Sequence, residues 1–167
     1  MRNGGDRRAG AVHVESYVPT ALVVDDDRSW LSWLEFHLSK AGWQTVCIDC
    51  AAAALAIFAE HEPDVVLLDQ QMPDSTGTQI AAHLRALGFC GPMMLLSAAT
   101  DMETRNRCSE LSVECVSKLA QSSLFGVMAA WRAEIVARHP VQVIDLTDGG
   151  PDSGGRLRRL LRLGRQN

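Results

Sequence analysis

At 167 residues the chain is long enough for one domain with a full hydrophobic core and short for two. Apolar residues make up 47%, which excludes a disordered polyelectrolyte, and the formal net charge of −4 excludes a surface built chiefly to hold nucleic acid. No apolar run approaches the roughly 20 residues needed to cross a bilayer, and the first residues lack the apolar centre of a signal peptide, so a cytoplasmic protein is expected.

Residues 1–18, rich in Gly, Arg and polar side chains, predict a disordered leader. A body over 19–138 then alternates short apolar runs with helical patterns. Ala21–Val24 (ALVV) reads as a strand, and Asp25, Asp26 and Asp27 follow it, with Asp27 the expected N-cap of the next helix. Trp30, Leu31, Trp33, Leu34 and Leu38 share one side of that helix, which Gly42 should end. Gln44–Ile48 is a second strand and carries Cys47, three residues before Cys50. A strand points positions three apart to opposite faces, and no nearby histidine or second pair completes a zinc shell, so these thiols read as structural.

Ala51–Glu60 is alanine-rich and predicts a helix. Val65–Leu68 (VVLL) is a third strand that runs into Asp69. Ile80, Leu84 and Leu87 recur at helical spacing before Gly88. Met93–Leu96 (MMLL) leads to Ser97, and Val113–Val116 (VECV) leads to Lys118. Leu124, Val127, Met128 and Trp131 mark a closing helix. In the tail, 139–167, the stretch VQVIDLTDGG (141–150) alternates like a short added strand. DGGPDSGG (148–155) is linker chemistry. GRLRRLLRLGR (155–165) is a short basic amphipathic segment, expected to be disordered and to order only on an acidic partner or a membrane surface. Five strands alternating with five helices predict an α/β domain with a parallel sheet.

Each strand ends on a polar residue, and open parallel sheets bind ligands beyond the carboxyl ends of their strands. Several carboxylates, a hydroxyl and an ammonium group should therefore converge. Clustered carboxylates repel, so they bind a cation or take up a proton. Magnesium prefers oxygen ligands and bridges one or two carboxylates to a phosphate, which suits Asp25 and Asp26. Asp69 can then attack a phosphoryl group as a carboxylate nucleophile. Lys118 supplies positive charge to the same oxygens, and Ser97 a hydrogen bond. Taken singly, each would read as a cap, a turn residue or a solvated charge.

The stretches LVVDDD (22–27), PDVVLLDQQMPDSTG (63–77), PMMLLSA (92–98) and the lysine of VSK (116–118) resemble the receiver domain of bacterial response regulators, over roughly residues 20–137. The resemblance implies a flavodoxin-like (βα)5 three-layer sandwich with strand order 2-1-3-4-5. It implies Mg²⁺ as cofactor, with Mn²⁺ able to replace it, and a sensor histidine kinase or histidine phosphotransfer protein as donor. By position it implies Asp69 as the phosphoacceptor. Asp25, Asp26, Asp69 and the backbone carbonyl of Gln71 would hold the metal. Ser97 would be the switch hydroxyl and Lys118 the phosphate-binding lysine.

Two positions depart from the family. Leu119 follows Lys118 where a proline with a cis bond is usual. A cis bond before a non-proline residue costs about 3–4 kcal/mol, so a trans bond is expected. Cys115 stands where the family often has Tyr or Phe, and it is too small to report by ring rotation. Switching is therefore expected to rely on the Ser97 loop and the helix after it.

The expected function is a stand-alone receiver that catalyses only its own aspartyl phosphorylation and dephosphorylation and signals by contact with a partner protein. About 30 residues after the last helix are too few for a helix-turn-helix domain, so no direct DNA binding is expected. The alternatives are a non-phosphorylated receiver-like interaction module and an aspartyl phosphatase. The latter is disfavoured because position 71 is Gln where a second acid is wanted.

Overall fold

The computed structural model describes residues 12–99 and 101–145. In chain order its elements are β1 (Val12–Glu15), β2 (Thr20–Val24), α1 (Arg28–Lys40), β3 (Gln44–Ile48), α2 (Ala51–His61) and β4 (Val65–Asp69). There follow α3 (Gly77–Ala86), β5 (Met93–Ser97), α4 (Met102–Leu111), β6 (Glu114–Ser117), α5 (Gln121–Arg138) and β7 (Gln142–Asp145).

Five strands form one parallel sheet in the order β3-β2-β4-β5-β6, which is 2-1-3-4-5 counted within that sheet. This is the flavodoxin-like arrangement expected. β2, β4 and β5 are apolar without interruption because helices cover both of their faces. Successive side chains alternate between two cores. Ala21, Val23, Val65, Leu67, Met94 and Leu96 meet Leu31, Leu34 and Leu38 of α1 and Leu124, Met128 and Ile135 of α5. Leu22, Val24, Val66, Leu68, Met93 and Leu95 meet α2, Ile80, Ala81 and Leu84 of α3, and Cys108 of α4.

Local chemistry fixes the helix ends. Asp27 caps α1 as expected, its side chain accepting from the backbone N–H of Ser29 (2.9 Å) and Trp30 (3.2 Å). Gly42, at φ 83°, takes the left-handed turn that ends α1, and the Trp43 N–H reaches back to the Leu38 carbonyl at 3.0 Å. Thr76 and Gln79 form a capping box at the start of α3. The α2 N-terminus is capped from a distance: the Ala51 N–H donates to Asp74 Oδ2 at 3.1 Å.

Val18–Val136 form one compact unit. Within the segments read as leader and tail, β1 and β7 pair antiparallel, Val12 opposite Asp145 and Glu15 opposite Gln142. The disordered-leader reading therefore fails at Val12–Glu15, because those residues find backbone partners in a strand far away in sequence. The added strand expected within 141–150 is β7. Beside this ribbon Tyr17 stacks on His139, with ring centroids 3.7 Å apart. The basic segment 155–165 and the linker at 148–155 lie outside the described residues. Among the described residues no helix is long and apolar enough to cross a membrane.

Candidate phosphoryl-transfer site

The chain leaves β2 to form β3 on one side and later returns to place β4 on the other, so the switch in strand order lies between β2 and β4. Asp25 directly follows β2, and Asp69 ends β4. Both carboxylates are buried, at 1% and 6% exposure, whereas Asp26 is exposed. Each of the three offers a carboxylate oxygen, and these atoms lie within 4.8 Å of one another. They form the one cluster of potential metal ligands among the described residues.

Lys118, one residue beyond β6, reaches into this cluster. Its Nζ lies 2.7 Å from Asp25 Oδ2 and 2.7 Å from Asp69 Oδ1. The remaining oxygens are held by backbone: the Asp27 N–H donates to Asp25 Oδ1 at 3.0 Å, and the Gln71 N–H donates to Asp69 Oδ2 at 2.9 Å. Among the described residues Lys118 is the one partner of the buried Asp25 Oδ2, so its ammonium alone balances that oxygen. Burial raises the Asp25 carboxyl above the ordinary aspartate range, and Lys118 and the Asp27 N–H offset only part of this. Burial pulls the Lys118 ammonium the other way, but hydrogen bonds and charge from Asp25 and Asp69 outweigh it and hold its pKa above the usual lysine range. Two buried carboxylates that share one ammonium, beside a third carboxylate, form a donor set that fits a hard divalent cation.

Ser97 ends β5 next to Asp69: the Gln70 N–H bonds the Leu96 carbonyl, and Ser97 pairs with Ser117 of β6. Its hydroxyl is occupied, donating to the Ala99 carbonyl at 2.6 Å. Gln71 sits beside Asp69 with its side chain exposed. Cys115, the other expected switch position, packs partly buried in the core that holds Cys108 of α4, whose thiol is pushed up to about 12 by burial and by Cys115. Among the described residues no peptide bond is cis, so Lys118–Leu119 is trans as expected, and Leu119 is 85% exposed. Cys47 and Cys50 are free thiols, and burial pushes Cys47 up to about 11.

Two contributors, Gln70 and Trp30, escaped the sequence reading, and Gly77 entered it only as the last residue of the 63–77 stretch. Gly77 approaches the site so closely that an added Cβ would collide with the Asp69 carbonyl and lie 2.5 Å from Leu95 Cδ1. Gln70 bridges to α3 by accepting from the Thr78 N–H at 3.2 Å. Trp30, read only as part of an apolar stripe, presents its ring 5.7 Å from Lys118 Nζ.

Comparison with known proteins agrees with this geometry. The family model described as response regulator receiver domain matches residues 21–124. The transcriptional regulatory protein KdpE of Mycobacterium tuberculosis is 40% identical over 80 residues, which are 48% of this chain and 35% of that protein. The transcriptional regulatory protein PrrA of Mycobacterium bovis is 36% identical over 87 residues, 52% of this chain and 37% of that protein. The chain thus spans little more than a third of the length of these curated relatives. The crystal structure of the chemotaxis protein CheY4 from Vibrio cholerae superimposes with a TM-score of 0.64 at 21% identity, covering 68% of this chain and 98% of that one, which is a likeness of fold.

Proposed function

Because the chain belongs to the response regulator receiver domain family, we propose that it accepts a phosphoryl group on Asp69 from a phosphohistidine of a sensor histidine kinase or phosphotransfer protein. The observation that carries this reading is the placement of Lys118 Nζ 2.7 Å from both Asp25 and Asp69 at the switch point of the sheet. In the transfer an Asp69 carboxylate oxygen forms the new bond to phosphorus while the donor's P–N bond breaks and the electron pair leaves with the imidazole. Asp25, Asp26, Asp69 and the Gln71 carbonyl would hold Mg²⁺, or Mn²⁺ in its place. When bound, the ion neutralises charge on the transferring oxygens.

The chain's own groups do the rest. The Gln71 N–H orients the Asp69 carboxylate, and the Lys118 ammonium moves from carboxylate to phosphoryl oxygen. The Ser97 hydroxyl exchanges the Ala99 carbonyl for the phosphoryl group, which passes the event to the loop before α4. Signalling then proceeds through changed contacts with a partner protein. The transcriptional role named for KdpE and PrrA belongs to proteins of which this chain matches a fraction, and it is not carried over. Beryllofluoride with Mg²⁺, followed by fluorine NMR, tests the assignment. A bound signal in the wild type that is lost in Asp69→Asn is expected. No bound signal in the wild type would favour a receiver-like module that works without phosphate.

A further inference from the structure

The flexible stem of a lysine must be confined before its ammonium can serve one place, because such side chains carry considerable rotamer freedom. In this site the residue after Lys118 gives no cover, since Leu119 is 85% exposed. A wall stands instead on the first turn of α1. The Trp30 ring lies 5.7 Å from Lys118 Nζ, within the range in which an aromatic face attracts a cation. The indole is itself braced: it stacks on Trp33 at 4.8 Å and 14°, and Trp33 packs against Phe125 at 5.6 Å. Its Nε1 is buried with no acceptor among the described residues, so the ring face is what it offers the site.

We propose that Trp30 is a positioning residue for the phosphoryl-transfer reaction, holding the Lys118 ammonium over the Asp25–Asp69 pair through its ring face. The inference rests on the phosphoacceptor reading and adds a residue to it. The two carboxylates change partners during the reaction, whereas the ring does not. Trp30 is therefore the contact that keeps Lys118 within reach as Asp69 turns from carboxylate to acyl phosphate.

The test is the rate of Asp69 labelling by acetyl phosphate with saturating Mg²⁺ in the full chain. Trp30→Phe keeps a ring face and should stay within about twofold of the wild type, while Trp30→Leu keeps only apolar bulk and should fall roughly fivefold to tenfold. Fluorinated tryptophans installed at position 30 keep the shape and weaken the ring's attraction for a cation. The rate should decline step by step with fluorine number, an effect that packing alone does not produce and that needs no unstable variant. A flat fluorine series with normal wild-type labelling overturns this inference and leaves the phosphoacceptor reading standing. A wild type that does not label overturns both.

Discussion

Lys118 donates its backbone N–H to the carbonyl of Ser97 at 2.9 Å, so the lysine and the hydroxyl residue are joined across β5 and β6 by main chain as well as by the site they share. The Ser97 hydroxyl is meanwhile bound to Ala99, at the start of the loop that leads to α4. Turning that hydroxyl toward a phosphoryl oxygen breaks this bond and releases the loop. α4 is easily disturbed, since Cys108 is its one buried residue. Amide exchange across residues 98–112 should therefore change several-fold between the free and the beryllofluoride–Mg²⁺ states, and much less in Ser97→Ala. Unchanged protection in the wild type would rule out this route.

Replacing Lys118 by Met should slow labelling by acetyl phosphate roughly 10²-fold, the usual loss for one removed charge-stabilising donor. It should also leave Asp25 and Asp69 buried without their shared cation, costing about 3 kcal/mol of stability in metal-free buffer. Added Mg²⁺ should recover part of that loss, because it binds the folded state alone. Thermal unfolding with and without Mg²⁺ checks both points. A variant as stable as the wild type without metal would contradict the ion-pair geometry.

Gly77→Ala should be among the most damaging of small substitutions. The added methyl meets the Asp69 backbone, which cannot rotate away, and Leu95 of the central sheet. A loss of about 2–3 kcal/mol is expected, with slowed phosphorylation because the strain falls on the acceptor residue. Denaturant unfolding and labelling rate should both move.

Asp74→Ala removes the acceptor that caps α2 from the loop beyond Asp69. The expected cost is about 1 kcal/mol, visible as a melting point several degrees lower, with labelling of Asp69 close to normal. A large loss of labelling would mean that the loop is held in place by this contact.

The centre of the sheet was legible because β2, β4 and β5 carry continuous apolar runs followed by a polar residue, and the site was legible because those polar residues fall at strand ends. Asp27 and Gly42 announced the ends of α1 by residue type alone. Other features depend on distant partners. Nothing local marks Val12–Glu15 as a strand, since its partner Gln142–Asp145 lies near the other end of the chain. α4 carries one buried side chain and hence no apolar stripe, so its residues gave little periodicity to read. Asp74 looks like an ordinary turn residue until α2 is seen beside it. Trp30 fits the apolar stripe of α1 equally well whether or not a lysine sits over its ring, and only the position of Lys118 separates the two roles.

The claim on which these arguments converge is that Asp69 is a metal-dependent phosphoacceptor. Incubation of the full chain with acetyl phosphate, with and without Mg²⁺, followed by intact mass measurement and peptide mapping, tests it most directly. The account predicts the gain of one phosphoryl group, only with Mg²⁺, on the peptide containing Asp69, and none in Asp69→Asn. No gain, or a gain that persists in Asp69→Asn, would contradict it.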